Sequence, residues 1–178
     1  LADLQHKKTF IDEPGLPPLL ENAVDKQLIS FSTDYTTAVT ASDVVVICVP
    51  TPVNAHKIPD YTAIKDVSQK IGEIIHPGQI IINESSVSPT TIDNILTPII
   101  ERASGLQVNT DFGVCSCPER ADPGKIVDNF DKVARIVGGS SDAVGKAIVQ
   151  LYQSITDAEI VQVSTPGTMG ERGTGLGL

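Results

Sequence analysis

The feature that most constrains this chain is a pair of uninterrupted apolar runs, residues 43–49 (DVVVICV) and 79–83 (QIIIN). A strand with one wet face alternates apolar and polar residues. A strand that is apolar throughout is covered on both faces, as in the interior of a parallel sheet. Between the runs, Ile64, Val67, Ile71, Ile74 and Ile75 fall on one helical stripe. Asp60 stands where it caps that helix, and His76-Pro77-Gly78 stops it. Parallel strands need a crossover of this kind, because a tight hairpin cannot join them.

The alternation continues along the chain. Residues 84–89 (ESSVSP) read as a tight loop, and Ile92, Ile95, Leu96, Ile99, Ile100 and Ala103 mark a second amphipathic helix ending near Gly105. Residues 111–117 (DFGVCSC) read as a strand, 118–124 (PERADPG) as its exit loop, and 134–137 as a short strand closed by Gly138-Gly139. Ser140 or Ser141 caps a helix whose face is Val144, Ala147, Ile148, Leu151 and Ile155, and residues 159–163 form a last strand. Upstream, residues 27–33 (QLISFST) alternate and predict one more strand. Strands alternating with helices give βαβ units, so the expected class is α/β: a doubly wound parallel sheet with helices on both faces. Residues 1–18 carry no strand pattern, and residues 166–178 (PGTMGERGTGLGL) are glycine-rich without apolar periodicity. Each glycine inside a helix costs about 1 kcal/mol relative to alanine. The expected organisation is a partial domain over residues 1–165 and a disordered tail over residues 166–178.

Charge narrows the partners. Thirteen Lys and Arg against 22 Asp and Glu leave a net charge of −9 over 178 residues, which argues against nucleic acid or an anionic membrane. A phosphate ligand stays open, because local donors rather than net charge hold it. No apolar run approaches the roughly 20 residues of a membrane helix. Residues 1–10 carry Asp3, Lys7 and Lys8 and lack the apolar stretch of a signal peptide. Three cysteines, Cys48, Cys115 and Cys117, read as reduced thiols of a cytoplasmic protein. Cys115 and Cys117 have C-x-C spacing, but no histidine or further cysteine lies near them in sequence, so no metal is expected and buried strand cysteines are the simpler reading.

In open parallel sheets ligands bind beyond the carboxyl ends of the strands. That rule selects three loops: Val49-Pro50-Thr51-Pro52, Glu84-Ser85-Ser86-Val87 and Pro118-Glu119-Arg120. The first is either a proline-rich turn or a rigid wall with a hydroxyl for a phosphate, ribose or nicotinamide. The second places two hydroxyls and a carboxylate at one strand end, for ligand contact or for local turn bonding. The third pairs a carboxylate with a guanidinium, either a surface ion pair or a base beside an anion-binding group. No G-x-G-x-x-G follows a strand, and neither a G-x-S-x-G elbow nor a Walker loop is present.

In this order the loops resemble the nucleotide-sugar 6-dehydrogenases, the UDP-glucose and UDP-N-acetylmannosamine dehydrogenase family. The matching stretches are residues 11–20 (IDEPGLPPLL), 43–52 (DVVVICVPTP), 82–89 (INESSVSP), 117–124 (CPERADPG) and 135–139 (RIVGG). The C-P-E-R-A-x-P-G stretch is more similar to the N-acetylmannosamine branch. The resemblance implies oxidation of the C6 alcohol of a UDP-sugar, UDP-N-acetylmannosamine by preference, to the carboxylate with two NAD. It implies that Val49, Pro50, Thr51 and Pro52 line the cofactor together with Glu84, Ser85 and Ser86. It further implies that Ser86 supplies the catalytic hydroxyl where the family usually has Thr. Glu119 becomes the general base acting through water, and Glu119, Arg120 and Ala121 contact the sugar nucleotide. The full-length enzyme is expected to be a homo-oligomer.

Measured against that family, the sheet is an incomplete Rossmann-like one whose first βαβ unit, with the glycine fingerprint, is missing. The family's helix with a catalytic Lys and Asn has no counterpart after Thr165, nor does the domain holding its thioester-forming Cys; none of Cys48, Cys115 or Cys117 matches it. The isolated chain is therefore expected to be inactive. Two rival readings are a non-catalytic binding fragment and an NAD dehydrogenase domain of the β-hydroxyacid type. The Pro-Glu-Arg loop disfavours the latter.

Overall fold

The computed structural model describes residues 2–119 and 122–164. The expected tail, residues 166–178, and the candidate residues Arg120 and Ala121 lie outside the described residues. The elements in chain order are α1 (Ala2–Gln5), α2 (Leu16–Asp25), α3 (Tyr35–Thr40), β1 (Val44–Ile47), α4 (Thr62–Gly72), β2 (Ile80–Asn83), a π-helical turn (Ile92–Leu96) running into α5 (Thr97–Ser104), β3 (Gly113–Ser116), α6 (Ile126–Asn129), β4 (Arg135–Gly139), α7 (Asp142–Gln153) and β5 (Ile160–Val163).

The strands form one sheet in the order β1-β2-β3-β4-β5. Side chains alternate between faces along each strand, which divides the core in two. Ile47, Ile81 and Val114 meet Ile64, Val67 and Ile71 of α4 and Ile100 of α5 on one face. Ile82, Cys115, Cys117 and Val137 meet Ile148 and Tyr152 of α7 on the other. Helices thus cover both faces of β2 and β3, which explains the apolar run that marks β2; β1, expected to be covered on both faces as well, leaves Val46 48% exposed at the edge of the described sheet. Pro98 offers no N–H to the helix it enters. The turn before it widens so that Thr97 N–H donates to Ile92 C=O, five residues back. Gly105, at φ +74°, ends α5 in the left-handed conformation that glycine adopts without a Cβ penalty.

Three local expectations are corrected. Residues 27–33 are not a strand: Leu28 is 73% exposed, and no described strand lies beside the segment to pair with it. An alternating pattern confers a strand only where a ladder partner exists. The sheet is not parallel throughout, since β4 runs antiparallel to β3 while β5 is parallel to β4. Among the described residues the link from β3 to β4 contains one helix, the one-turn α6, and the chain returns along β3 instead of crossing over. The expected helix face is shifted: Leu151 of α7 and Ile155 beyond its end are exposed, and the buried residues of α7 are Gly145, Ile148 and Tyr152. The cause is a close approach of helix to strand: a Cβ at Gly139 would collide with the Gly145 backbone, so the face of α7 that carries Gly145 is turned toward the sheet. The Asp60 expectation holds: α4 starts one residue later, at Thr62, and Asp60 accepts from Thr62 N–H at 2.9 Å, the bond a helix cap makes.

Candidate active site

Strand register aligns three chain segments at one edge. Ile47 lies opposite Asn83, and Asn83 opposite Ser116. The next residues, Cys48, Glu84 and Cys117, therefore leave the sheet side by side, each opening one of the loops singled out in the sequence. Backbone bonds continue past the strands: Glu84 N–H donates to Ile47 C=O at 2.9 Å, Cys117 N–H to Asn83 C=O at 3.0 Å, and Glu119 N–H to Glu84 C=O at 2.9 Å.

Side chains then lock the first two loops together. The Ser85 hydroxyl donates to Val49 C=O and accepts from Val49 N–H, both at 2.8 Å. Asn83 Nδ2 donates to Ser85 C=O at 2.8 Å, and Thr51 Oγ1 donates to Ser86 C=O at 2.5 Å. Farther along, Ser88 N–H donates to the Tyr61 hydroxyl at 3.2 Å. Ser85 is thus buried and its hydroxyl is used within the protein, while Ser86 beside it stands exposed. Pro50 and Pro52 are exposed, with Val49 and Thr51 half-buried between and beside them. The sequence treats Ser85 and Ser86 alike; only the fold separates the clasp from the outward hydroxyl.

The charged groups form a chain. The Tyr152 hydroxyl donates to one oxygen of Glu84, and Cys48 Sγ lies 3.6 Å from the other. Burial and then the bond to Glu84 hold the Tyr152 phenol far above its ordinary range. Burial and then the Glu84 charge push the Cys48 thiol up to about 11. Arg135 Nη1 lies 3.5 Å from Glu119 Oε2. Its guanidinium centre is 4.8 Å from the Phe130 ring centroid and 5.2 Å from that of Tyr152, within range of cation–π attraction. Arg135 Nε and Asn83 Oδ1 are buried without a hydrogen-bond partner among the described residues. Each such group costs about 1–3 kcal/mol, so native structures hold few of them.

Arg135 and Tyr152 escaped sequence reasoning as site residues: it placed Arg135 in a short strand and did not single out Tyr152. The available signal was an arginine opening the apolar run RIVGG. Glu13 was missed as well. It is 5% exposed, and its carboxylate accepts from Gly124 N–H at 2.8 Å, Ile126 N–H at 2.7 Å and Val127 N–H at 3.4 Å. It therefore ties the amino-terminal segment to the far side of the Glu119 loop. Cys115 and Cys117 are buried on the α7 face, and burial raises both thiols, Cys115 to about 12.

Comparison with known proteins fits this geometry. A family model described as the UDP-glucose/GDP-mannose dehydrogenase family, NAD binding domain, matches residues 1–156. A UDP-N-acetyl-D-glucosamine 6-dehydrogenase of Pseudomonas aeruginosa is 34% identical over 116 residues, 65% of this chain and 28% of that protein. A GDP-mannose dehydrogenase of P. aeruginosa, solved as a ternary complex, superposes with a TM-score of 0.89 at 29% identity, covering 96% of this chain and 39% of that one. The UDP-N-acetyl-mannosamine dehydrogenase of Staphylococcus aureus superposes with a TM-score of 0.85 at 30% identity, covering 95% of this chain and 40% of that one. The chain thus spans between 28% and 40% of the length of these relatives.

Proposed function

This chain belongs to the UDP-glucose/GDP-mannose dehydrogenase family, and we propose from that premise that its strand edge is one part of an active site that oxidises the C6 alcohol of a UDP-sugar to a carboxylate. UDP-N-acetylmannosamine is the preferred substrate, on the strength of the C-P-E-R-A-x-P-G loop. The likeness to a GDP-mannose dehydrogenase makes a guanine nucleotide the second reading, and assays on both nucleotide sugars separate the two. The observation that carries the proposal is the convergence of three strand-end loops on one edge. Glu119 is there, its backbone bonded to the Glu84 loop and its carboxylate beside Arg135.

The donor set suits the nicotinamide half of NAD, which accepts hydride when bound. Val49, Pro50, Thr51 and Pro52 form a wall whose position is fixed by the Ser85 clasp, and exposed Ser86 offers its hydroxyl across from it. Glu84 acts there indirectly, since its carboxylate is engaged by Tyr152. The pyrophosphate half needs a run of backbone N–H donors at a helix N-terminus, and the 178 residues hold no glycine fingerprint to supply it. The isolated chain is accordingly inactive, and the full-length enzyme is a homo-oligomer.

Glu119 takes a proton from the water that hydrolyses a covalent enzyme–sugar thioester, whose cysteine lies outside this chain. Arg120 and Ala121 contact the sugar nucleotide. The test uses residues 11–163 completed with the flanking segments of a full-length relative. Glu119→Gln lowers the rate by about 10²–10⁴-fold, the usual worth of general-base help, and a thioester adduct accumulates in the intact mass. Ser86→Ala lowers the rate without that adduct. Normal turnover by Glu119→Gln, with nothing trapped, removes Glu119 from the chemistry.

A further inference from the structure

We infer that Arg135 is the positioning residue that sets the direction of the Glu119 carboxylate, with the Phe130 and Tyr152 rings fixing its guanidinium. The inference rests on the reading of Glu119 as the base. Topology supplies the first reason. Because β4 runs antiparallel to β3, with Ser116 opposite Gly138, its first residue lies beyond the end of β3, at the edge where the three loops leave the sheet. A parallel β4 would carry Arg135 to the opposite end.

The second reason is the asymmetry of the pair. The Glu119 side chain is 40% exposed and that of Arg135 only 8%. An ion pair between two mobile surface side chains fixes neither partner. Here the cation is buried and lies against two rings, which restrict it. Glu119 is held at both ends, its N–H on Glu84 C=O and its carboxylate beside Arg135 Nη1. A base that must meet a water in one geometry gains rate from such fixing.

The third reason is the link to the neighbouring loop. The ring against Arg135 belongs to Tyr152, whose hydroxyl holds Glu84. One guanidinium therefore bears on both the Glu119 and the Glu84 loops. A lysine would keep the charge and lose the plane that lies against the rings.

The test is a double-mutant cycle in the completed enzyme, read by kcat and KM separately. Arg135→Lys is expected to lower kcat by about tenfold or more with KM for sugar nucleotide and NAD within about twofold, the pattern of an interaction made only in the transition state. In the Glu119→Gln background the same substitution is expected to cost nothing further. An equal loss in both backgrounds overturns the inference, because it is what a merely structural arginine gives. A rise in KM at constant kcat also overturns it. If Glu119→Gln itself is silent, the reading of the base has failed, and that outcome is distinct from the other two. A second cycle, by urea unfolding of the 178-residue chain with Arg135→Met and Glu119→Gln, does not depend on turnover. It is expected to show a coupling of about twofold or more in the unfolding constant, and no coupling overturns the contact.

Discussion

At the residue scale, adjacent residues of one type carry different tasks. Ser85 is a clasp and Ser86 an outward hydroxyl, although the sequence presents them as an unbroken Ser-Ser pair. Cys48 reverses the usual link between exposure and reactivity. It is exposed, yet its thiol is pushed up to about 11 by local burial and by the Glu84 charge. Only the thiolate reacts. Cys48 is therefore expected to be alkylated by iodoacetamide at pH 8 at least about tenfold more slowly than a free cysteine, with the rate climbing as pH rises toward the thiol's range. Glu84→Gln removes the nearby negative charge, lowers the thiol pKa and speeds the reaction. Rates followed by mass spectrometry from pH 7 to pH 10 check both. A fast reaction at pH 8 would contradict the Glu84 contact. Glu119 and Ser86 were legible in the sequence as candidates because strand ends are where polar residues need a reason. Arg135 was not, because its partners lie on three separate elements: the Pro118–Glu119 loop, the segment after α6, and α7.

At the element scale, the strands read correctly all have a ladder partner, and the misread one was the segment without a neighbour. The same logic locates the weak point of the fold. Among the described residues β1 is hydrogen-bonded on one side only, and Val46, opposite Ile82 and on the same face of the sheet, is 48% exposed. Leu28 and Ile29 lie exposed as well. An apolar edge of this kind is a template for pairing with another chain. The 178-residue chain is expected to self-associate at micromolar concentration and to bind a hydrophobic dye, and Val46→Lys is expected to reduce both. Sedimentation velocity of the two proteins checks this; a monodisperse wild-type chain with a sharp melt would locate the edge wrongly. The antiparallel β4 was illegible for a different reason. Strand direction is set by what lies between strands, and the stretch after Cys117 has too little helical periodicity to declare either a crossover or a return.

At the scale of the whole molecule, each core is assembled from successive strands and helices, but the edge where the loops meet is also held by single polar contacts between distant segments. Glu13 reaches Gly124, Ile126 and Val127, and Tyr152 reaches Glu84. No periodicity announces such contacts, since each is a single polar group meeting donors or acceptors on a distant segment. They tie the Glu84 loop to α7 and the amino-terminal segment to the stretch after Glu119. The consequence for NAD affinity of having no glycine fingerprint in the 178 residues can be sized. Binding NAD at 1 μM rather than 1 mM takes about 4 kcal/mol. A charge-assisted hydrogen bond contributes about 1.5–3 kcal/mol, so two or three pyrophosphate bonds at a glycine-rich helix N-terminus account for that whole difference. The 178-residue chain, which has no such sequence, is expected to bind NAD with a dissociation constant of about 1 mM or weaker by isothermal titration. Nicotinamide mononucleotide, which lacks the pyrophosphate, is expected to bind about as well as NAD itself. Addition of a glycine-fingerprint βαβ segment ahead of residue 11 should then tighten NAD toward the micromolar range and leave the mononucleotide unchanged. A micromolar constant for NAD on the chain alone would mean that donors in these 178 residues already hold the pyrophosphate, and the wall at Val49–Pro52 would have to be reassigned to that task.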